Sequence, residues 1–233
     1  MKTNLILGAS AWLTVALNAA DLGPKDEITA AAKKLGEKSN YSWKATVVVP
    51  EGGQFRQGPT EGKTEKDGFT HVTISFGDNT TQAVLKGDNA AVTDPEGGWQ
   101  SLADLDNAEG PRRFLGFFVR SIKTPAVQGA ELAAGAKNLK KDGDTFSSDL
   151  TEEGVKALLT FRRGGDGPTI SNAKGSVKFW VKDGVLAKFE FKVAGKVSFN
   201  GNDREIDRTT TVEIKDIGTT KVNVPDAAKK KLS

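Results

Sequence analysis

Residues 175–215 read GSVKFWVKDGVLAKFEFKVAGKVSFNGNDREIDRTTTVEIK, and the strand pattern of the chain is clearest here. Apolar and polar residues alternate along it with a period of two, which is the spacing of a strand with one buried face. The dipeptides Asp183-Gly184 and Asn200-Gly201 suit tight hairpin turns. The stretch therefore predicts long antiparallel strands that are joined by two hairpins.

The second of these strands has to bend. About thirteen residues in extended conformation would reach ~45 Å if flat, which is longer than a compact domain of this chain length allows. Gly195 lies in mid-strand, where a bulge or bend is easily accommodated. Since the opposite face is charged, the core is expected on the apolar face. That face carries Ala187, Phe189, Phe191, Val193, Gly195, Val197 and Phe199.

The rest of the chain supplies shorter strands and a set of helices. Period-two patterns predict strands over residues 41–49, 70–76, 81–86 and 90–93, with a less clear strand within 54–66 and short ones around 146 and over 222–224. Helical spacing and capping residues predict helices over 25–38, 101–107, 111–123, 131–137 and 151–159, and a basic turn or helix over 225–232.

Together these patterns predict an α+β fold. We expect a strongly curved antiparallel β-sheet, a half-open barrel that is wrapped around helices or capped by them. Residues 21–233 are expected to form a single domain, with a helical insertion around residues 100–137.

The N-terminus has the layout of a secretory signal peptide. Lys2 precedes an apolar run over residues 5–17, and the small residues Ala19 and Ala20 follow. The run of about 13 residues is shorter than the ~20 that a membrane-spanning helix needs. Residues 1–20 are therefore expected to be removed, and the mature chain to be periplasmic or secreted.

Composition excludes several kinds of chemistry. The chain contains no cysteine, which excludes disulfides, thiolate nucleophiles and a cysteine-linked lipid anchor. A formal net charge of +3, with both signs abundant, gives no reason to expect a nucleic-acid partner. The single histidine, His71, lies on the polar face of its strand and is expected to be solvated. No catalytic residue, metal site or cofactor is predicted.

The long meander strands, the helix-rich middle and the closing segment RTTTVEIKDIGTTKVNVPDAA, residues 208–228, resemble a known family. They look like the outer-membrane lipoprotein carrier LolA and the mycobacterial lipoproteins of the LppX and LprG kind. The resemblance implies a curved sheet around a hydrophobic cavity, with helices as a lid, and a lipid or acyl chain as the ligand. The missing cysteine departs from the lipid-anchored members.

One predicted helix carries the candidate ligand site. Residues 111–123 present several large apolar side chains between basic residues, as a lid over a cavity or as a plain core helix would. The candidate lid residues are Phe114, Phe117, Phe118 and Ile122, and the candidate sheet residues are Phe179, Phe189, Phe191 and Val193.

Three hypotheses about function follow. The first is an exported, non-enzymatic protein that holds a lipid or other apolar ligand, as a monomer with transient contact to a membrane surface, and that takes part in lipid or lipoprotein transport. The second is a structural or protein-interaction module of the cell envelope with a filled core. The third, an exported hydrolase, lacks a recognisable pair of nucleophile and base.

Overall fold

The structure is a computed structural model that describes residues 22–50, 58–77, 79–94, 96–160, 167–199 and 201–232. The predicted signal peptide, the start of the polar segment 54–66 and the glycine-rich stretch 161–166 lie outside the described residues.

Helices and strands alternate in blocks along the described chain. The helices are α1 (Pro24–Gly36), α2 (Leu102–Asp106), α3 (Pro111–Ser121), α4 (Pro125–Gly135), α5 (Glu152–Leu159) and α6 (Asp226–Lys229). The strands are β1 (Asn40–Val48), β2 (Thr60–Glu65), β3 (Thr70–Phe76), β4 (Asn79–Lys86), β5 (Asn89–Thr93), β6 (Trp99–Ser101), β7 (Lys140–Asp142), β8 (Thr145–Asp149), β9 (Thr169–Lys182), β10 (Val185–Phe199) and β11 (Asn202–Lys215).

All described strands join one antiparallel sheet in the order β6-β5-β4-β3-β2-β1-β11-β10-β9-β8-β7. Ile74 on β3 and Phe146 on β8 belong to the same hydrophobic core. Six strand spacings separate β3 from β8, so the two strands would lie roughly 29 Å apart in a flat sheet. Because residues of both strands belong to one core, the sheet has to curve. The sheet is curved but not closed, and the predicted α+β half-open barrel with helices is confirmed.

The long strands form as the alternation predicts. β10 pairs with both β9 and β11, and its register with β9 shifts between Ala194 and Lys196. This shift confirms Gly195 as the site of the irregularity. A Cβ there would lie 3.1 Å from Leu159 Cδ1 and 3.3 Å from the carbonyl oxygen of Ser171, so the glycine also lets α5 approach the sheet closely.

Three helices fill the concave side over the long strands. α1 packs on β9 and β10 and against α4, and α5 packs on the same two strands. α4 lies so close to the sheet that a side chain at Gly129 would overlap Leu186. Phe179 and Phe189 are fully buried beneath these helices, where each contributes roughly 2 kcal/mol through the apolar area that it buries.

Some local predictions are wrong. A second register shift, between Leu186 and Lys188, buries Leu186 and leaves Ala187 only half-buried. α4 spans Pro125–Gly135 rather than residues 131–137, because Pro125 at the first helical position starts the helix earlier. α1 ends at Gly36, two residues before the predicted end.

The C-terminal segment corrects the expectation that only one face of the sheet holds a core. Residues 220–225 are not a strand; with α6 they cross the outer face of β3–β6. Val84 and Ala91, on that face, are fully buried together with Ala228. An ion pair of 2.9 Å between Lys231 Nζ and Asp104 Oδ2 holds the end of the chain against α2.

Tyr41, the only tyrosine of the chain, is buried at the start of β1. Burial raises the pKa of its phenol above the ordinary value of 10.0, while hydrogen bonds with Thr124, the Ala126 backbone and Thr64 partly oppose the shift. The raised pKa means that the neutral phenol stabilises the folded state. This contribution to the free energy of unfolding is fully present below the pKa of the unfolded chain. It is lost as the pH rises through the pKa of the folded protein.

We therefore predict that the tyrosinate absorbance of the native protein appears at higher pH than that of the protein in concentrated urea. Tyr41→Phe should make the free energy of unfolding fall less steeply above pH ~10. An ultraviolet titration checks the first statement, and urea unfolding at several pH values checks the second. Coincident native and unfolded titrations would contradict both.

Candidate functional site

α3 is the described helix whose large apolar side chains are least completely buried. Phe117, Phe118 and Ile122 are half-buried, whereas Val119 on the same turn is fully buried. The helix follows Gly110, whose φ of 63° favours glycine. No side chain caps its first turn. α3 packs against the smaller part of the core through Val119 and the half-buried Leu115, Phe118 and Ile122.

Two exposed ion pairs link α3 and the residues just after it to the neighbouring helices. Arg120 donates through both terminal nitrogens to the carboxylate of Asp106, at 2.9 and 2.7 Å, and Lys123 pairs with Glu131 of α4. All four side chains are between 37% and 54% exposed. Exposed pairs contribute only about 0–1 kcal/mol each, so they orient α3 without fixing it strongly.

The core on the concave side is divided beneath α3. The main cluster includes the long strands and α1, α4 and α5, and a smaller cluster combines β4 and β5 with α2 and α3. The half-buried residues Leu85, Phe118 and Ile122 pack against both clusters. We call these three residues the seam. It is apolar on both sides and only partly closed to solvent.

The two predicted halves of the ligand site therefore have different environments. Phe118 and Ile122 lie in the seam, and Phe117 is half-buried on the same helix. The side chain of Phe114 is outside the described part of the structure. Phe179, Phe189, Phe191 and Val193 are at most 4% exposed and belong to the main cluster. Their role in binding a ligand stays a prediction.

Arg208 is a candidate that the sequence analysis did not single out. It shares the inner face of β11 with Ile206 and Thr210, and it lies opposite the buried Val193. Its Nη2 donates to the carbonyl oxygen of Leu158 in the last turn of α5 at 3.1 Å. Its Nε is enclosed by protein, and burial lowers the pKa of the guanidinium.

A signal for Arg208 was present in the sequence. The alternation that places Ile206, Thr210, Val212 and Ile214 on one face of β11 places Arg208 on the same face. A cation is rare at an inward position of an otherwise apolar pattern, and its presence there marks Arg208 as a candidate functional residue.

His71 is less exposed to solvent than the sequence predicts. It is half-buried beneath the C-terminal segment, with Nδ1 2.9 Å from the carbonyl oxygen of Asn223 and Nε2 3.1 Å from Gln82 Oε1. The expectation of a solvated histidine is wrong because the C-terminal segment covers this face. Within the described residues, no group of three or more histidine, aspartate or glutamate side chains could hold a metal ion.

The outer face of the long strands has a different character. A groove of about 480 Å³ crosses β8–β11 there, and most of the residues that line it carry a hydroxyl group or a charge of either sign, including Lys178, Glu190 and Lys192. Trp180 lies nearby on the same face, with the ammonium groups of Lys178 and Lys188 at 5.0 and 4.7 Å from its ring. This groove does not suit an acyl chain, because burying polar and charged groups against one is costly.

None of the described helices is both long enough and apolar enough to cross a membrane. No protein-family model matches the chain, and no curated protein matches it.

Solved structures do show similarity to the chain. LprF from Mycobacterium bovis is 9% identical with a TM-score of 0.47, over 88% of this chain and 97% of that one. The lipoprotein LppX from Mycobacterium tuberculosis is 12% identical with a TM-score of 0.47, over 87% and 98%. A LolA superfamily protein from Nitrosomonas europaea is 9% identical with a TM-score of 0.35, over 91% and 98%. These similarities concern the fold, and they name the same kinds of protein as the sequence resemblance.

Proposed function

We propose that this chain is an exported carrier that binds an acyl-chain amphiphile on the concave side of its sheet, with α3 as a lid and without any covalent step. The observation that carries the proposal is the seam. Leu85, Phe118 and Ile122 are half-buried between two core clusters, at a helix that exposed ion pairs link to its neighbours.

The energetics favour a ligand at the seam over a ligand under α1. Inserting a chain beneath α1 would displace fully buried phenylalanines from contacts worth roughly 2 kcal/mol each. Moving α3 breaks two exposed ion pairs and separates half-buried side chains, and among the described large apolar side chains of α3 only Val119 is fully buried. Each methylene of a chain that enters the seam gains about 0.8 kcal/mol. A chain of ordinary length can therefore compensate for the movement.

The fully buried sheet residues are compatible with the second hypothesis, an envelope protein whose core is filled. In that case α3 would close the seam permanently against Leu85 and the two clusters. The two hypotheses differ in what Phe118 does: it lines a binding surface in the first and completes a core in the second.

A binding experiment with a fluorescent fatty acid tests the proposal. We predict that the mature protein binds the probe and that Phe118→Ala weakens binding about tenfold or more, because the truncated side chain no longer contacts the acyl chain. Val119→Ala is the matched control. It lies one residue further along α3 and is fully buried in the smaller cluster, so it should reduce stability and leave affinity largely unchanged.

The measurements are a fluorescence titration and a urea unfolding curve for each variant. No saturable binding by the unaltered protein, after delipidation, would contradict the proposal and favour a filled core. So would equal affinity of Phe118→Ala and the unaltered protein.

A further inference from the structure

We propose that Arg208 binds the acidic head group of the ligand, so that the chain carries anionic lipids in preference to neutral ones of the same chain length. This inference rests on the proposed function and adds the head-group class. Three observations carry it: where Arg208 lies on the sheet, how it is held, and which apolar residues flank it.

The position of Arg208 is set by the strand. The register of β11 with β10 pairs it with Val193, which is fully buried, and the neighbouring inward residues Ile206 and Thr210 fix the direction of its side chain. β1 pairs with β11 only as far as Thr209, so Arg208 lies where the sheet narrows to β9, β10 and β11. A cation is thereby held at the edge of the apolar interior rather than on the charged outer face.

The guanidinium is also fixed at its far end. The hydrogen bond from Nη2 to the Leu158 carbonyl oxygen, 3.1 Å long, ties it to the C-terminal turn of α5, where the helix dipole favours a positive charge. A guanidinium has five donors in a planar fork, and it can bind a carboxylate or phosphate while it keeps this bond. Desolvation strengthens such a charge-assisted contact.

Half-buried apolar residues flank Arg208 on the concave face. Ile206 is its inward neighbour on β11 toward the hairpin, and Ala45 on β1, which pairs with Val212, lies on the other side; both pack at the margin of the main cluster. A head group at Arg208 would therefore have apolar surface beside it on which its acyl chain can lie.

The test compares two ligands of equal chain length, palmitate and cetyl alcohol, at pH ~8, where the carboxylate is ionised. The unaltered protein should bind palmitate roughly tenfold or more tightly, as expected for a hydrogen bond to a charged group. Arg208→Gln should abolish this preference while cetyl alcohol still binds, and Arg208→Lys should retain part of it. Arg204→Gln is the matched control, because Arg204 lies four residues away on the same strand and is exposed.

The outcomes distinguish failure of the Arg208 assignment from failure of the proposed carrier function. Equal binding of both ligands by the unaltered protein would overturn the role of Arg208 and leave the carrier function intact. Binding of neither ligand would overturn both. If Arg208→Gln lowers thermal stability while the preference for palmitate persists, Arg208 only caps α5, and the inference is wrong. Loss of the preference in Arg208→Gln, with Arg204→Gln unchanged, supports it.

Discussion

Replacing Phe189 with alanine should lower the free energy of unfolding by about 3–5 kcal/mol, the range for truncating a fully buried phenylalanine. The side chain, on β10, is 0% exposed. Its ring lies 6.5 Å, between centroids, from the rings of both Phe179 and Phe191. Because α1 packs on this strand, the truncation would also remove part of the surface that holds α1.

Urea unfolding followed by circular dichroism measures the loss. Phe199→Ala is the control, since Phe199 lies near the end of the same strand and is 40% exposed, and its truncation should cost clearly less. A Phe189→Ala variant of unchanged stability that had lost ligand affinity would contradict the account. It would mean that this phenylalanine faces a cavity and not a packed core.

Gly62→Ala should cost about 3 kcal/mol or more, because it forces a methyl group into the indole of Trp43. The ring of Trp43 lies directly on Gly62, which is its cross-strand partner in β2. Trp43 is 6% exposed, and its Nε1 donates to Thr64 Oγ1 at 3.2 Å. A side chain at position 62 displaces the ring, which loses packing and leaves buried polar atoms without this hydrogen bond.

The stability of Gly62→Ala can be measured by urea unfolding, and tryptophan emission should move to longer wavelength as Trp43 becomes more exposed. Gly167→Ala is the matched control, because a Cβ at Gly167 would meet nothing within 4 Å. It should change stability by less than about 0.5 kcal/mol. Equal stabilities for the two variants would contradict the prediction. They would mean that β1 and β2 can shift to accommodate the added methyl group at little cost.

The sequence predicted the long strands well because alternation is a local property. β9, β10 and β11 form around the predicted turns, and the irregularity at Gly195 occurs where the strand length requires it. The pattern predicts the start of α4 several residues late, because its apolar spacing is diffuse and the helix in fact begins at Pro125. The bulge near Leu186 could not be predicted, since nothing in the alternation marks the position of an extra residue.

The C-terminal segment shows what local patterns leave out. Val222 and Val224 look like a short strand, yet the segment lies over the outer face of β3–β6 and buries Val84 and Ala91. This placement depends on long-range contacts, such as the ion pair between Lys231 and Asp104, for which no period in the sequence gives evidence. The environment of His71 follows from the same contacts.

The candidate site was predicted in part. The sequence identified the helix that became α3 and its aromatic residues, because their number exceeds what one narrow core stripe needs. It could not distinguish sheet residues under α1, such as Phe179, from those that face the seam, because both sets alternate in the same way. Arg208 is not among the predicted site residues, because the pattern of apolar side chains on β11 does not include a cation.

Whether the protein carries a lipid can be measured by organic extraction of the protein, purified from the compartment in which it accumulates, followed by mass spectrometry. We predict about one acyl-chain lipid per protein molecule, with an acidic head group, and loss of this lipid from a Phe118→Ala protein that is purified in parallel. Protein that is folded and free of lipid in every preparation would contradict the account and identify the seam as a filled core.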